Sequence, residues 1–290
     1  MALIGMAWLL PMACLRSPTP RRIHWHDELV SARVEEHSLK PVADPRPAAC
    51  KVCTGPSPLF GVVDFNKSCL EAQNRRLPLS GSPVYYRRCQ LCGFTFTSDF
   101  DSWTPAAFKR HIYNERYIEV DPDFAEARPA QSAAWVAQTF QDAKDSIRVL
   151  DYGGGDGVLA ERLRAQAFTA STYDPFSRFN DMPQETFDLI TCFEVMEHVP
   201  NPKATVATIL SLLRRPGVLV FSTLVQPESF LSMGLSWWYA APRNGHISLY
   251  TKPALARLFQ AHGLKCGSFS DNLHIAYAEV PAFAAHLNLP

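Results

Sequence analysis

The chain has 290 residues, enough for one complete α/β domain together with a smaller module. It contains 28 basic and 28 acidic residues, so its formal net charge of +0 gives no general attraction to nucleic acid or to an anionic membrane. The apolar stretch at residues 1–15 is shorter than a membrane span, which needs roughly 20 residues. This stretch also lacks a basic start and a small-residue cleavage site, and Pro11 interrupts it, so we expect a cytoplasmic protein.

Four regions follow one another along the chain. Residues 1–48 mix Pro, Arg, His and small residues without a sustained period, which predicts a disordered or loosely packed segment. Residues 49–100 alternate short apolar pieces with Gly, Pro and Ser, as in a small module of short strands. Residues 101–128 are predicted to form a helical connector. Residues 129–290 are predicted to form the main domain.

The main domain alternates strand-like and helical patterns. Strand-like runs lie at Ile147–Leu150, Phe168–Tyr173, Phe187–Phe193 and Val218–Thr223, and helical segments such as Pro202–Arg214 separate them. This alternation predicts an α/β fold, in which a doubly wound parallel sheet carries helices on both faces.

The strongest chemical signal is the sequence V-L-D-Y-G-G-G-D-G at Val149–Gly157. A hydrophobic strand ends at Asp151, and Gly153 and Gly155 allow a sharp turn with close approach of a ligand to the backbone. Dinucleotide sites space their glycines as G-x-G-x-x-G and bind a pyrophosphate. Here Asp151 and Asp156 would repel a pyrophosphate. The loop instead suits a cationic ligand that carries an amino group and a sulfonium.

A second acidic residue, Asp174, ends the next apolar run, 23 positions after Asp151. At this place an acidic side chain can accept hydrogen bonds from both hydroxyls of a ribose. A single Asp at the end of a strand can also cap a helix. The glycine loop before it makes the ribose-binding interpretation the stronger one.

These features resemble the class I methyltransferases that use S-adenosylmethionine (SAM), as does the stretch F-D-L-I-T-C-F-E-V-M-E-H-V-P-N-P at Phe187–Pro202. The resemblance covers roughly residues 130–280 and implies a Rossmann-like methyltransferase sheet. It also implies that SAM contacts the glycine loop, the acidic residue after the second strand and the residues after the fourth strand. These predicted cofactor-binding residues are Asp151, Gly153, Gly155, Asp174, Phe193 and Glu194.

One departure from the family concerns its third strand. Only twelve residues separate Asp174 from Phe187, so this strand is expected to be shortened or absent. Asp181 is then the nearest candidate, with Met182, for contact with the adenine.

Four cysteines form two identical pairs, Cys50-x-x-Cys53 and Cys89-x-x-Cys92, separated by 35 residues. Each turn can present two thiolates to one ion, and two turns complete a tetrahedral zinc site with four cysteine ligands. Four unrelated buried cysteines are the alternative, which the repeated spacing disfavours. Because four thiolates leave no open position for water, the zinc is expected to be structural.

The segment S-W-W-Y-A-A-P-R-N-G-H-I-S-L-Y-T at Ser236–Thr251 follows a predicted strand, where loops face the ligand. A four-cysteine module ahead of a methyltransferase resembles the sugar C-methyltransferases, in which a similar segment, E-H-I-S-Y-F-S, carries a histidine base. This resemblance implies that His246 is the catalytic base, although Gly245 replaces the preceding Glu. The alternative is a histidine bonded to the backbone of a loop.

Two other segments have two interpretations each. Glu197 and His198 follow a strand, and a role in capping the next helix is favoured over a catalytic one. The segment H-I-Y-N-E-R-Y at His111–Tyr117 suggests a second wall of the substrate site, although a packed amphipathic helix explains it nearly as well.

We therefore expect a SAM-dependent methyltransferase with a structural zinc, acting on a small molecule such as a nucleotide-linked sugar. No nucleic-acid or membrane partner is indicated. An O- or N-methyltransferase of another metabolite is the alternative among enzymes, and a catalytically inactive zinc-binding scaffold protein is the alternative outside them. The intact glycine loop and Asp174 favour an enzyme.

Overall fold

The computed structural model describes residues 47–289. The segment predicted to be loosely packed, residues 1–48, lies outside the described residues except for its last two positions.

The first five strands belong to the predicted module. β1 (Ala48–Ala49) and β2 (Pro56–Ser57) pair with each other, and β3 (Leu59–Asp64), β4 (Pro83–Arg88) and β5 (Thr95–Thr97) form an antiparallel sheet. Each strand is short and is separated from the next by turns that contain Gly, Pro or Ser, as the sequence pattern predicts.

Two helices connect this sheet to the central one. In α1 (Pro105–His111) the proline occupies the first turn, and the hydroxyl of Thr104 accepts the N–H of Ala107 at 3.3 Å. After a short 3₁₀ turn at Glu115–Glu119 comes α2 (Ala127–Thr139).

Within residues 47–289 the central sheet has six strands, and later strands are added on both sides of the first one. β6 (Arg148–Tyr152) pairs in parallel with β7 (Thr169–Tyr173) and with β8 (Phe187–Cys192), and β8 pairs in parallel with β9 (Leu213–Ser222). The sheet therefore carries β7 at one edge. Residues 174–186, all of them described, form no strand between β7 and β8, which confirms the prediction made from the short spacing.

Helices cover both faces of this sheet, which explains why its strands are apolar throughout. α3 (Val158–Arg164) packs with α2 on one face, and α4 (Pro202–Leu212) covers the other. Along β6, Val149 points to the first helical layer and Leu150 to the second, so consecutive residues are both buried.

The last strands close both sheets. After α5 (Phe230–Met233), β10 (Ser248–Leu249) pairs with β5 and so extends the sheet of the predicted module. α6 (Lys252–Gln260) joins α4, and the antiparallel strands β11 (Lys265–Ser268) and β12 (Leu273–Tyr277) complete the central sheet beside β9. Within residues 47–289, none of the helices has the length and apolar character that crossing a membrane requires.

Candidate active site

The glycine loop follows β6 directly and leaves space where a ligand can lie against the backbone. Gly153 has φ of +78°, and a Cβ there would overlap the side chain of Val195. Gly155 has φ of +55°, yet a Cβ there would meet nothing within 4 Å. The first position requires glycine for both space and backbone conformation, and the second faces open space.

The structure brings Asp174 to this loop. Its carboxylate accepts the N–H of Gly155 at 2.9 Å and the N–H of Phe176 at 2.7 Å. The N–H of Gly153 donates to the carbonyl of Tyr173 at 2.7 Å. The two motifs found in the sequence are therefore parts of one site, although Asp174 also holds the backbone around it.

A cavity of about 560 Å³ opens at the carboxyl ends of β6, β7 and β8. All six residues predicted to bind the cofactor line it: Asp151, Gly153, Gly155, Asp174, Phe193 and Glu194. Asp181 and Met182, the candidates for adenine contact, are not among the residues that line it.

Burial raises the pKa of two of these carboxyl groups. Burial raises the pKa of Asp151 to about 7, against a hydrogen bond from Thr191 at 3.0 Å that favours the charged form. Burial, and then the neighbouring charge of Glu197, raise the pKa of Glu194 to about 7. A cation bound in the cavity would favour the ionised form of both groups.

The opposite wall comes from the segment between α1 and α2. Tyr113, Asn114 and Tyr117 line the cavity, which agrees with the second wall suggested for His111–Tyr117. The ring of Phe176 lies 5.1 Å from the ring of Tyr113. This wall is mostly aromatic, so it offers flat apolar surfaces to a ligand.

An ion pair that the sequence did not indicate closes the same wall. Arg128 in α2 bonds to Asp121 at 2.6 Å, and both residues line the cavity beside Phe124. Asp121 lies next to Pro122, and an acidic residue beside a proline is typical of a turn, so the local sequence does not indicate this ion pair.

Of the two histidines in this region, His198 reaches the cavity and His246 does not. The ring centroids of the two lie 5.0 Å apart, and His246 is buried with its Nδ1 2.9 Å from the carbonyl of Tyr239. Burial lowers the pKa of His198 to about 4 and that of His246 well below its usual range. The role of His246 as the base stays a prediction, and its ring lies behind that of His198.

The loop Ser236–Thr251 packs against the segment after β8, on the side away from the cavity. None of its side chains lines the cavity, because the segment after β8 lies between the loop and the ligand space. The hydroxyl of Tyr239 donates to the carboxylate of Glu197 at 2.6 Å. Gly245, with φ of +87°, lies so close to His198 that a Cβ would come within 2.9 Å of its Nδ1. The residue that departs from the sugar C-methyltransferase segment thus makes room for His198.

Four sulfur atoms gather in the predicted module. Cys50 Sγ lies 3.7 Å from Cys92 Sγ, and Cys53 Sγ lies 3.4 Å from Cys89 Sγ, with no disulfide between them. All four lie within 4.8 Å of one another, close enough to share one ion. A second group with ligand atoms this close consists of Glu197, His198 and His246.

Comparisons with known proteins show what the sequence is similar to. A family model described as a methyltransferase domain matches residues 124–268, which is half of the chain. The ubiquinone biosynthesis O-methyltransferase of Neisseria meningitidis serogroup C is 32% identical over 150 residues, covering 40% of this chain and 63% of the relative. The enzyme of the same name from Thiobacillus denitrificans is 31% identical over 150 residues, covering 41% and 64%. The chain thus spans less than two thirds of these curated relatives.

Solved structures are similar at lower identity. An O-methyltransferase family protein from Burkholderia thailandensis has a TM-score of 0.45 and 13% identity, covering 61% of this chain and 63% of that chain. Magnesium protoporphyrin IX methyltransferase from Synechocystis, solved with bound SAM, has a TM-score of 0.39 and 15% identity, covering 63% and 95%.

Proposed function

The chain belongs to the methyltransferase-domain family, the class I SAM-dependent methyltransferases, and from this premise we propose that it methylates an oxygen atom of a small aromatic molecule. The observation that carries the proposal is a single cavity. It combines the glycine loop and Asp174 with an aromatic wall and the side chain of His198. The curated relatives, named as O-methyltransferases, support the choice of oxygen as the acceptor atom.

SAM would occupy the side of the cavity next to β6 and β7. Asp174 is placed to accept the ribose hydroxyls, and the open space at Gly155 would admit the ligand against the backbone. Asp151 and Glu194 supply negative charge for the amino group and the sulfonium. SAM itself supplies an activated methyl group when bound.

The acceptor would lie between the sulfonium and the aromatic wall. Tyr113, Tyr117 and Phe176 present rings to a planar molecule, and His198 lines the cavity near them. The acceptor hydroxyl would transfer its proton to His198 while its oxygen forms the new bond to the methyl carbon and the carbon–sulfur bond breaks. Burial lowers the pKa of His198 to about 4, so the imidazole is neutral at neutral pH, although the same shift makes it a weaker proton acceptor than an ordinary histidine.

A nucleotide-linked sugar, the acceptor suggested by the sequence, has less support. The comparisons name no sugar methyltransferase among these relatives, and the segment on which that resemblance rests does not line the cavity.

We also propose that the four cysteines bind one structural zinc. The distances between their sulfur atoms suit a tetrahedral site, and the N–H groups of Val52 and Leu91 point to the sulfurs of Cys50 and Cys89 at 3.4 Å. Such bonds stabilise thiolates. Four sulfur ligands would leave no position for water, so zinc would support the fold and not the chemistry.

The test combines calorimetry with an acceptor screen. SAM should bind, and a panel of phenols and catechols should yield a methyl ether detected by mass spectrometry. His198→Asn should lower turnover by roughly 10²–10⁴-fold, the usual contribution of a positioned base, with little change in SAM affinity. His262→Asn, which removes a histidine distant from the cavity, is the matched control. Failure of SAM to bind the wild-type protein would contradict the proposal, and equal turnover in both variants would remove His198 from the chemistry.

A further inference from the structure

We propose that the four-cysteine site holds the acceptor side of the active site in place through strand β10, in addition to stabilising its own module. The inference rests on the proposed function, because it assigns the metal a part in positioning His198. Three successive layers of contacts support it.

The first layer joins the second cysteine turn to Thr251, two residues after the end of β10. The hydroxyl of Thr251 donates to the carbonyl of Cys92 at 2.6 Å and accepts the N–H of Ala254 at 3.0 Å, which caps α6. Gly93 packs on the same threonine, since a Cβ at Gly93 would come within 2.9 Å of its methyl group. A shift of the cysteine turn would therefore move Thr251.

The second layer is the side chain of Gln226. Its Nε2 lies 2.9 Å from the carbonyl of Gly93 and 2.9 Å from the carbonyl of Leu249. Its backbone N–H donates to the carbonyl of Tyr250 at 2.8 Å. The side chain of one glutamine thus connects the cysteine turn to β10, in addition to the antiparallel pairing of β5 with β10.

The third layer joins β10 to the turn that carries His198. The N–H of Ile247 donates to the carbonyl of Glu197 at 2.9 Å, and the hydroxyl of Ser248 donates to the carbonyl of Val199 at 2.8 Å. The hydroxyl of Tyr250 donates to the carbonyl of Met196 at 3.0 Å. The backbone on both sides of His198 is held from β10.

The cofactor side is held by other contacts. Asp174 bonds to Gly155, and Gly153 bonds to Tyr173, so these groups are fixed by β6 and β7 of the central sheet. Loss of the metal should consequently loosen residues 196–199 and 246–251 while the glycine loop keeps its order.

The experiment compares zinc-loaded and metal-free full-length protein by hydrogen–deuterium exchange and by calorimetry with SAM. Exchange in residues 196–199 and 246–251 should become roughly tenfold faster without zinc, whereas the dissociation constant of SAM should change less than about threefold. Unchanged exchange in both segments, with SAM still bound, overturns the inference and leaves the proposed function standing. A protein that binds no SAM even when loaded with zinc contradicts the proposed function itself.

A variant with the metal in place separates positioning from general stability. Gln226→Met keeps the size of the side chain but removes its amide, so exchange at 246–251 should rise and turnover should fall, with zinc content and SAM affinity retained. Gln166→Met makes the same chemical change at an exposed position of the central domain and should alter none of these. If metal removal unfolds the protein, the comparison of Gln226→Met with Gln166→Met tests the inference instead. Equal exchange at residues 246–251 in the two variants overturns it.

Discussion

The charge of individual carboxyl groups determines how the cavity responds to pH. Asp151 and Glu194 both have a pKa raised to about 7 by burial, while that of His198 is lowered to about 4. Around neutral pH the two carboxyl groups therefore change charge and the histidine does not. A ligand that carries a positive charge binds best to their ionised forms.

SAM affinity should consequently increase as the pH rises through about 7, and binding should release protons. The sign follows from the pKa values: both groups are partly protonated before binding, and the cation lowers their pKa. Calorimetry in buffers of different ionisation enthalpy measures the number of protons released. Glu194→Gln should reduce that number, and an affinity independent of pH in the wild-type protein would contradict this assignment.

Asp174 is the residue on which the cofactor prediction depends most. Asp174→Ala should weaken SAM binding by about 1.5–3 kcal/mol, the scale of hydrogen bonds to a charged group, because it removes the acceptor for the ribose hydroxyls. The variant also loses the bonds to Gly155 and Phe176, so its folding is checked by thermal melting. Asp181→Ala makes the same change in charge away from the cavity. Equal affinity in the two variants would exclude Asp174 from the site.

Elements of the central sheet could be predicted from the sequence because each is buried on two faces or carries a strong boundary signal. The apolar runs at β6, β7 and β8 match the structure to within about two residues, and α6 begins after Thr251, whose side chain accepts the N–H of Ala254 and caps the helix. The pairing of β10 with β5 could not be predicted. A strand of two residues has no period, and the partner of Ser248 is Phe96, which lies far earlier in the chain.

The absence of a side chain at Gly245 leaves the space that His198 and Tyr113 occupy. Gly245→Ala should lower thermal stability and turnover, because the new methyl group would lie 2.9 Å from Nδ1 of His198 and 3.0 Å from the hydroxyl of Tyr113. Part of the loss comes from the backbone alone, since a left-handed conformation costs a residue with a Cβ roughly 1–2 kcal/mol. Gly263→Ala isolates this part, because Gly263 has φ of +76° and open space around it. If Gly245→Ala and Gly263→Ala lose the same stability and neither loses turnover, the space beside His198 does not require glycine at position 245.

Across the whole molecule, the predictable parts are those in which residues near in sequence act together. The glycine loop with Asp174 and the two cysteine pairs are local patterns, and the structure brings each set together. The position of His246 behind His198 depends on how a distant loop packs beneath the segment after β8, and a single sequence does not encode this in any local pattern. Local chemistry therefore indicated the cofactor side better than the acceptor side.

The sulfur cluster is expected to contribute to the stability of the whole fold, because the sheet of its module includes β10 from the main domain. Metal analysis should find one zinc per chain, and Cys89→Ser should lower both the zinc content and the melting temperature. A loss of roughly 2–3 kcal/mol would lower the melting temperature of a domain of this size by about 4–12 °C. Cys266→Ser changes a cysteine of β11, outside the cluster, and should leave the zinc content unchanged. Protein prepared under reducing conditions with zinc available that contains no metal, and melts at the same temperature with and without a chelator, would show that the four cysteines do not form a metal site.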